Sequence, residues 1–238
     1  MSAIVPPHAV LPPGSAPRAP SARALAALTP REQLRAGRLP RRLVQLTVGL
    51  WLYGASMAMV IRGALGLDPW DVFHAGVMTH VGLSFGTVVI AVGALVLLLW
   101  IPLRQMPGLG TVANVVLIGV ATDVTLAMLT APDALLPRAA LLVGGVVLNG
   151  LAGALYIGAQ LGPGPRDGLM TGLARRTGRS IRLVRTSLEV TVLVAGFLLG
   201  GQVGLGTVLY AVAIGPLVQL FLPWTIVELD VPTRHHNP

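Results

Sequence analysis

The sequence contains no cysteine, which excludes disulfide frameworks, thiolate metal sites and cysteine nucleophiles. Lysine is also absent, all 17 basic residues being arginine. Schiff-base chemistry and a Walker-type phosphate loop, which needs Gly-Lys, are excluded with it. Charge of any kind is scarce, at 11% of 238 residues, too little to cover the surface of a soluble domain. Metal-binding patterns are lacking too. His74 and His80 lie six apart and match no ligand spacing, His235-His236 is a tail pair, and no His-Glu-x-x-His occurs. Gly108-Leu109-Gly110 and Gly204-Leu205-Gly206 lack the third glycine of a dinucleotide loop and read as tight turns between helices, with Thr111 and Thr207 at the helix starts. The chain is therefore expected not to be an enzyme and to need no cofactor or metal.

What the sequence has is apolar length: 54% hydrophobic residues and a mean hydropathy of +0.76. A helix crossing ~30 Å of hydrocarbon needs about 20 mostly apolar residues. Six runs qualify, at 43–62, 84–103, 110–130, 139–160, 183–201 and 206–226. Two further segments, 69–81 and 165–178, read as helices too short and too polar to cross, the second carrying Arg166, Arg175 and Arg176. Residues 1–40 are proline- and alanine-rich and cannot bury a core. Thr29-Pro30-Arg31-Glu32 has the form of a capping box opening a short juxtamembrane helix. Residues 227–238 form a second tail.

The net charge of +8 is distributed as orientation charge between apolar runs, not as a nucleic-acid footprint. With six crossings and the N-terminus in the cytoplasm, twelve arginines from Arg35 onward fall on the cytoplasmic side and only Arg62 and Arg138 outside. This bias predicts a multi-pass inner-membrane protein with both termini cytoplasmic.

The chain also matches itself at an offset of 96. Leu65-Gly66 meets Leu161-Gly162, Pro69 and Asp71 meet Pro165 and Asp167, and Gly108-Leu109-Gly110-Thr111 meets Gly204-Leu205-Gly206-Thr207. Two copies follow, 41–130 and 138–226, each with three crossings and one short helix. An odd number of crossings makes the copies inverted, an architecture of secondary transporters. The expected fold is an all-α membrane protein of six transmembrane helices in two inverted three-helix repeats, each with a short re-entrant or interfacial helix. Composition leaves open whether those short helices dip into the bilayer or lie flat on it.

The strings Leu65-Gly66-Leu67-Asp68-Pro69-Trp70-Asp71-Val72, Gly108-Leu109-Gly110-Thr111 and Gly162-Pro163-Gly164-Pro165-Arg166-Asp167-Gly168-Leu169-Met170 resemble the YczE-like bacterial membrane proteins, relatives of the YitT group. The resemblance covers about residues 38–226. It implies a multi-pass membrane protein and supplies no catalytic residues.

Candidate pathway residues are the polar ones inside the spans. Asp123 lies deep in its run, where a carboxylate faces a bundle interior or an aqueous cavity, and its counterpart 96 residues on is Gln219. Glu189 has Arg185 four residues before it, the spacing of a helical ion pair. Asn114 and Asn149 join this set, with interhelical hydrogen bonding as their alternative use. Asp71 and Asp167 stand at the third positions of the short helices, where capping explains them. The functional alternative sets them at opposite mouths of a pathway, binding a cation or relaying protons. Arg62 is placed to pair with Asp68 or Asp71. Arg175, Arg176, Arg179 and Arg182 form a contact for anionic lipid headgroups. Beyond the bilayer, a small solute is the expected partner, and a homodimer is compatible with the sequence. A small-solute or ion transporter is the leading function, with a membrane scaffold or regulatory partner protein as the alternative.

Overall fold

The computed structural model describes residue 25 and residues 28–230. Most of the proline-rich tail and the His235-His236 end lie outside them. Nine helices run through the described residues: α1 (Pro30–Arg35), α2 (Leu39–Gly63), α3 (Pro69–Val81), α4 (Phe85–Leu103), α5 (Leu109–Met128), α6 (Leu135–Gly158), α7 (Pro165–Thr177), α8 (Ile181–Leu198) and α9 (Leu205–Thr225). Among these residues there is no strand. Thr29 and Glu32 close the capping box on α1. Five helices are long and apolar enough to cross a membrane, namely α2, α4, α5, α6 and α9. The remaining candidate of the six, α8, has 18 residues and carries Arg182, Arg185 and Glu189. Those charges set it apart from the other five.

α2 and α6 form the centre, packed on each other, with α5 against α2 and α9 against α6. Small residues allow the close approach. A side chain at Gly49 would strike the backbone of α6 at Tyr156, and one at Gly54 would strike α5 at Ile118. The two short helices exchange partners between the copies, α4 lying on α7 and α8 on α3.

Residues 96 apart make reciprocal bonds. Gly110 N–H donates to the Leu161 carbonyl at 2.7 Å, and Gly206 N–H donates to the Leu65 carbonyl at 2.8 Å. Gly66 and Gly162, at φ +115° and +121°, turn the chain beneath these bonds in a conformation that L side chains avoid. Gly66 lies against the backbone of Gly204 and Gly162 against Gly108. Arg42, fully buried, donates to the Ala159 and Gln160 carbonyls at 2.8 and 2.7 Å. Its counterpart Arg138 donates to the Gly63 and Ala64 carbonyls at 2.9 and 2.6 Å. Each copy's first long helix thus begins with a guanidinium that satisfies orphan carbonyls at the end of the other copy's first long helix.

Candidate functional site

Both short helices begin with proline behind an extended residue, a start that proline at the first helical position favours. Asp68 caps α3, its Oδ1 accepting from the backbone N–H of Trp70 at 2.9 Å and of Asp71 at 3.1 Å. Gly164 takes the same position on α7 without a side chain to cap it. The Gly66 and Gly162 turns bring these two N-termini together. Arg166 from α7 reaches α3, with Nη1 3.8 Å from Asp68 Oδ1 and Nη2 3.7 Å from Asp71 Oδ1. Its guanidinium lies 4.8 Å from the centre of the Trp70 ring, within cation–π range. Trp70 and Arg166 are themselves 96 apart, so the residues that touch are counterparts in the two copies.

Asp71 and His74 extend the cluster inward, with Nδ1 3.1 Å from Oδ1 and both side chains 2% exposed. On the other side, the Tyr156 hydroxyl accepts from Gly164 N–H and donates to Asp167 Oδ2.

Two cavities flank the Trp70–Arg166 contact, and both are lined by Trp70, Arg166 and Asp167. The smaller, about 110 Å³, lies against α4 and α5 and is otherwise lined by residues such as Tyr53, His74, Gly93, Asn114 and Ile118. The larger, about 300 Å³, lies against α8 and α9, with Asn149, Glu189, Tyr210, Ile214 and Gln219 in its wall. The linings are counterparts at the offset of 96: Tyr53 with Asn149, Gly93 with Glu189, Asn114 with Tyr210, Ile118 with Ile214.

Their surroundings differ. α4 packs along α5, and the carbonyl of Gly119 occupies the place a side chain at Gly86 would need. Asp123 fastens this contact, accepting from Gly86 N–H at 2.7 Å and from the Ser84 hydroxyl. α8 instead packs on α3 and α7, and no comparable packing joins it to α9. Gly215, the counterpart of Gly119, faces open space.

The candidate residues thus separate. Asp167, Glu189, Gln219, Asn114 and Asn149 line the cavities. Asn149 donates to the Ser56 hydroxyl at 2.8 Å and accepts from the Tyr210 hydroxyl at 2.9 Å. Arg185 Nε donates to Glu189 Oε1 at 3.0 Å. Asp71 lines neither cavity and lies within the Arg166 ion pair. Asp71, set at the opposite mouth from Asp167 on the sequence reading, pairs with Arg166, the residue next to Asp167 in the chain. Asp123 lines neither cavity and acts as a helix-to-helix fastening. Arg62 donates to the Leu126 carbonyl and not to Asp68 or Asp71; Arg166 takes that place. Arg175 and Arg179 border an open cleft, Arg176 donates to the Pro102 carbonyl at 2.9 Å, and Arg182 is exposed.

Arg166 is the residue that charge counting passed over, because a single arginine in a loop reads as an orientation signal. Trp70 and the tyrosines were also missed. The chain has only three tyrosines, and Tyr53, Tyr156 and Tyr210 all line the larger cavity, so their scarcity was the available signal. Gly82-Leu83-Ser84-Phe85-Gly86 carries the spacing of a serine nucleophile turn. No strand precedes it, and Ser84 caps α4 through Thr87 N–H at 3.2 Å.

A family model described as a family of unknown function (DUF6198) matches residues 40–223. An uncharacterised protein of Haemophilus influenzae is 41% identical over 177 residues, covering 74% of this chain and 81% of its own. The uncharacterised membrane protein YczE of Bacillus subtilis is 37% identical over 184 residues, covering 76% of this chain and 86% of its own. The uncharacterised protein YyaS of the same organism is 25% identical over 180 residues. No solved structure matches the chain.

Proposed function

The chain belongs to the DUF6198 family, membrane proteins like YczE, and on its geometry we propose that it is a secondary carrier of a small solute or ion. The observation that carries this reading is the meeting of the two short-helix N-termini across Arg166, between two cavities with equivalent linings. Broken helices whose ends face a central site are how carriers bind solutes away from lipid.

In this reading α8 is the sixth crossing. Its Arg185 and Glu189 stand in the wall of the larger cavity. The copies are inverted, and both termini are in the cytoplasm of a bacterial inner membrane. The Asp123 fastening then closes the outer side between α4 and α5. The gap between α8 and α9 leaves the larger cavity open to the cytoplasm. In the opposite state the halves exchange these arrangements, so that a solute beside Arg166 meets each side in turn.

The test is exchange uptake into proteoliposomes over a panel of labelled small cations, amino acids and organic acids. Wild-type protein is expected to move at least one class, and Arg166→Ala none. No flux of any class from folded wild-type protein would point to the scaffold role instead.

A further inference from the structure

We infer that the larger cavity takes a small organic cation, its positive group on the Asp167 carboxylate and a hydrogen-bond acceptor of the same molecule on Trp70 Nε1. This rests on the carrier reading and names the class of its solute.

The cluster is short of positive charge. Asp68 and Asp71 share the Arg166 guanidinium, while Arg185, in the same cavity wall as Asp167, is held by Glu189. The contacts single out one carboxylate. Asp68 is taken up by two backbone N–H groups and Arg166, and Asp71 by His74 and Arg166. Arg185 is paired with Glu189. Asp167 has the Tyr156 hydroxyl at 3.2 Å, and among the described residues no basic side chain within 4.0 Å. Asp167 is exposed and lines the cavity, so its carboxylate can be met there by a cation.

A second observation is independent of charge. Trp70 is 6% exposed and lines both cavities, yet its Nε1–H is buried without an acceptor. An orphaned buried donor costs about 1–3 kcal/mol until it is satisfied. A bare metal ion cannot accept that hydrogen; a hydroxyl, carbonyl or carboxylate oxygen on the solute can. The three tyrosines and Trp70 line a space of about 300 Å³, and aromatic rings favour an organic cation.

The experiment is thermal unfolding of the full chain in lipid nanodiscs at constant ionic strength. The probes are choline and ethanolamine, with 3,3-dimethyl-1-butanol as the neutral isostere, tetramethylammonium as the cation without an acceptor, and sodium and acetate as ion controls. At least one of the first two is expected to raise the wild-type Tm by about 2 °C or more, beyond every control. Asp167→Asn is expected to lose the shift, and Asp167→Glu to keep part of it. Trp70→Phe should bring the cation's shift down to that of tetramethylammonium.

The inference is overturned if neither choline nor ethanolamine shifts the wild type, if sodium or acetate shifts it more, or if Asp167→Asn responds unchanged. Should Asp167→Asn not fold, Trp70→Phe decides: an unchanged response there also overturns it. Solute flux without cation-specific stabilisation would leave the carrier standing and remove this inference. Stabilisation without flux would do the reverse.

Discussion

The half of the molecule containing α4 and α5 and the half containing α8 and α9 are built from matching sequence and packed differently. In the first, Gly86 and Gly119 bring the helices into backbone contact and Asp123 fastens them across Ser84 and Gly86. In the second, position 182 is an arginine where Gly86 stood, Gln219 replaces Asp123, and Gly215 faces open space. The cavity beside the first pair is about 110 Å³, and the one beside the second about 300 Å³. Elsewhere the halves agree closely, as in the Arg42 and Arg138 caps and the Gly110 and Gly206 bonds. The packing diverges most at this helix pair, while the turns and guanidinium caps that hold the short helices are common to both halves.

Substitutions can break this contrast in a graded way. The largest effect is expected from Arg166→Ala, which strands Asp68 and Asp71 without a counter-charge and removes the contact shared by both halves. It should cost about 3 kcal/mol or more, read as a lower unfolding midpoint in nanodiscs. Gly86→Val should follow, at about 2 kcal/mol of overpacking. It forces α4 away from α5, so a cysteine at position 118 should become more reactive to a thiol reagent. Asp123→Asn removes one acceptor oxygen and a charge-assisted bond, for about 1 kcal/mol, with the same but smaller gain in reactivity at position 118. Smallest is Glu189→Gln, which breaks an exposed helical pair worth about 0.3–0.5 kcal/mol and should leave the midpoint nearly unchanged.

The sequence made the frame readable because its signals are local. Apolar run length places α2, α4, α5, α6 and α9, the offset of 96 pairs the turns, and Asp68-Pro69 announces the start of α3. The site was less legible because it depends on which residues meet. Arg166 looked like one more orientation charge; only the convergence of two turns nearly 100 residues apart puts it beside Asp68 and Asp71. Asp123 was read as a polar residue deep in its span, whereas it binds Ser84 and Gly86 at the start of α4; position in an apolar run does not separate a solute ligand from a fastening between neighbouring helices. Of the charges that keep α8 out of the apolar group, Arg185 and Glu189 stand in the wall of the larger cavity, which hydropathy cannot see.

The central claim is that the halves are inverted and differ in access, and counterpart positions test it most directly. Ile118 lines the smaller cavity and Ile214 the larger, both isoleucine, and the chain has no native cysteine. Single variants Ile118→Cys and Ile214→Cys, labelled in oriented membrane vesicles with an impermeant thiol reagent, report access from each face. The account predicts fast labelling of position 214 from the cytoplasmic face alone and slow labelling of position 118 from the opposite face alone. Labelling of both from the same face at similar rates would contradict it.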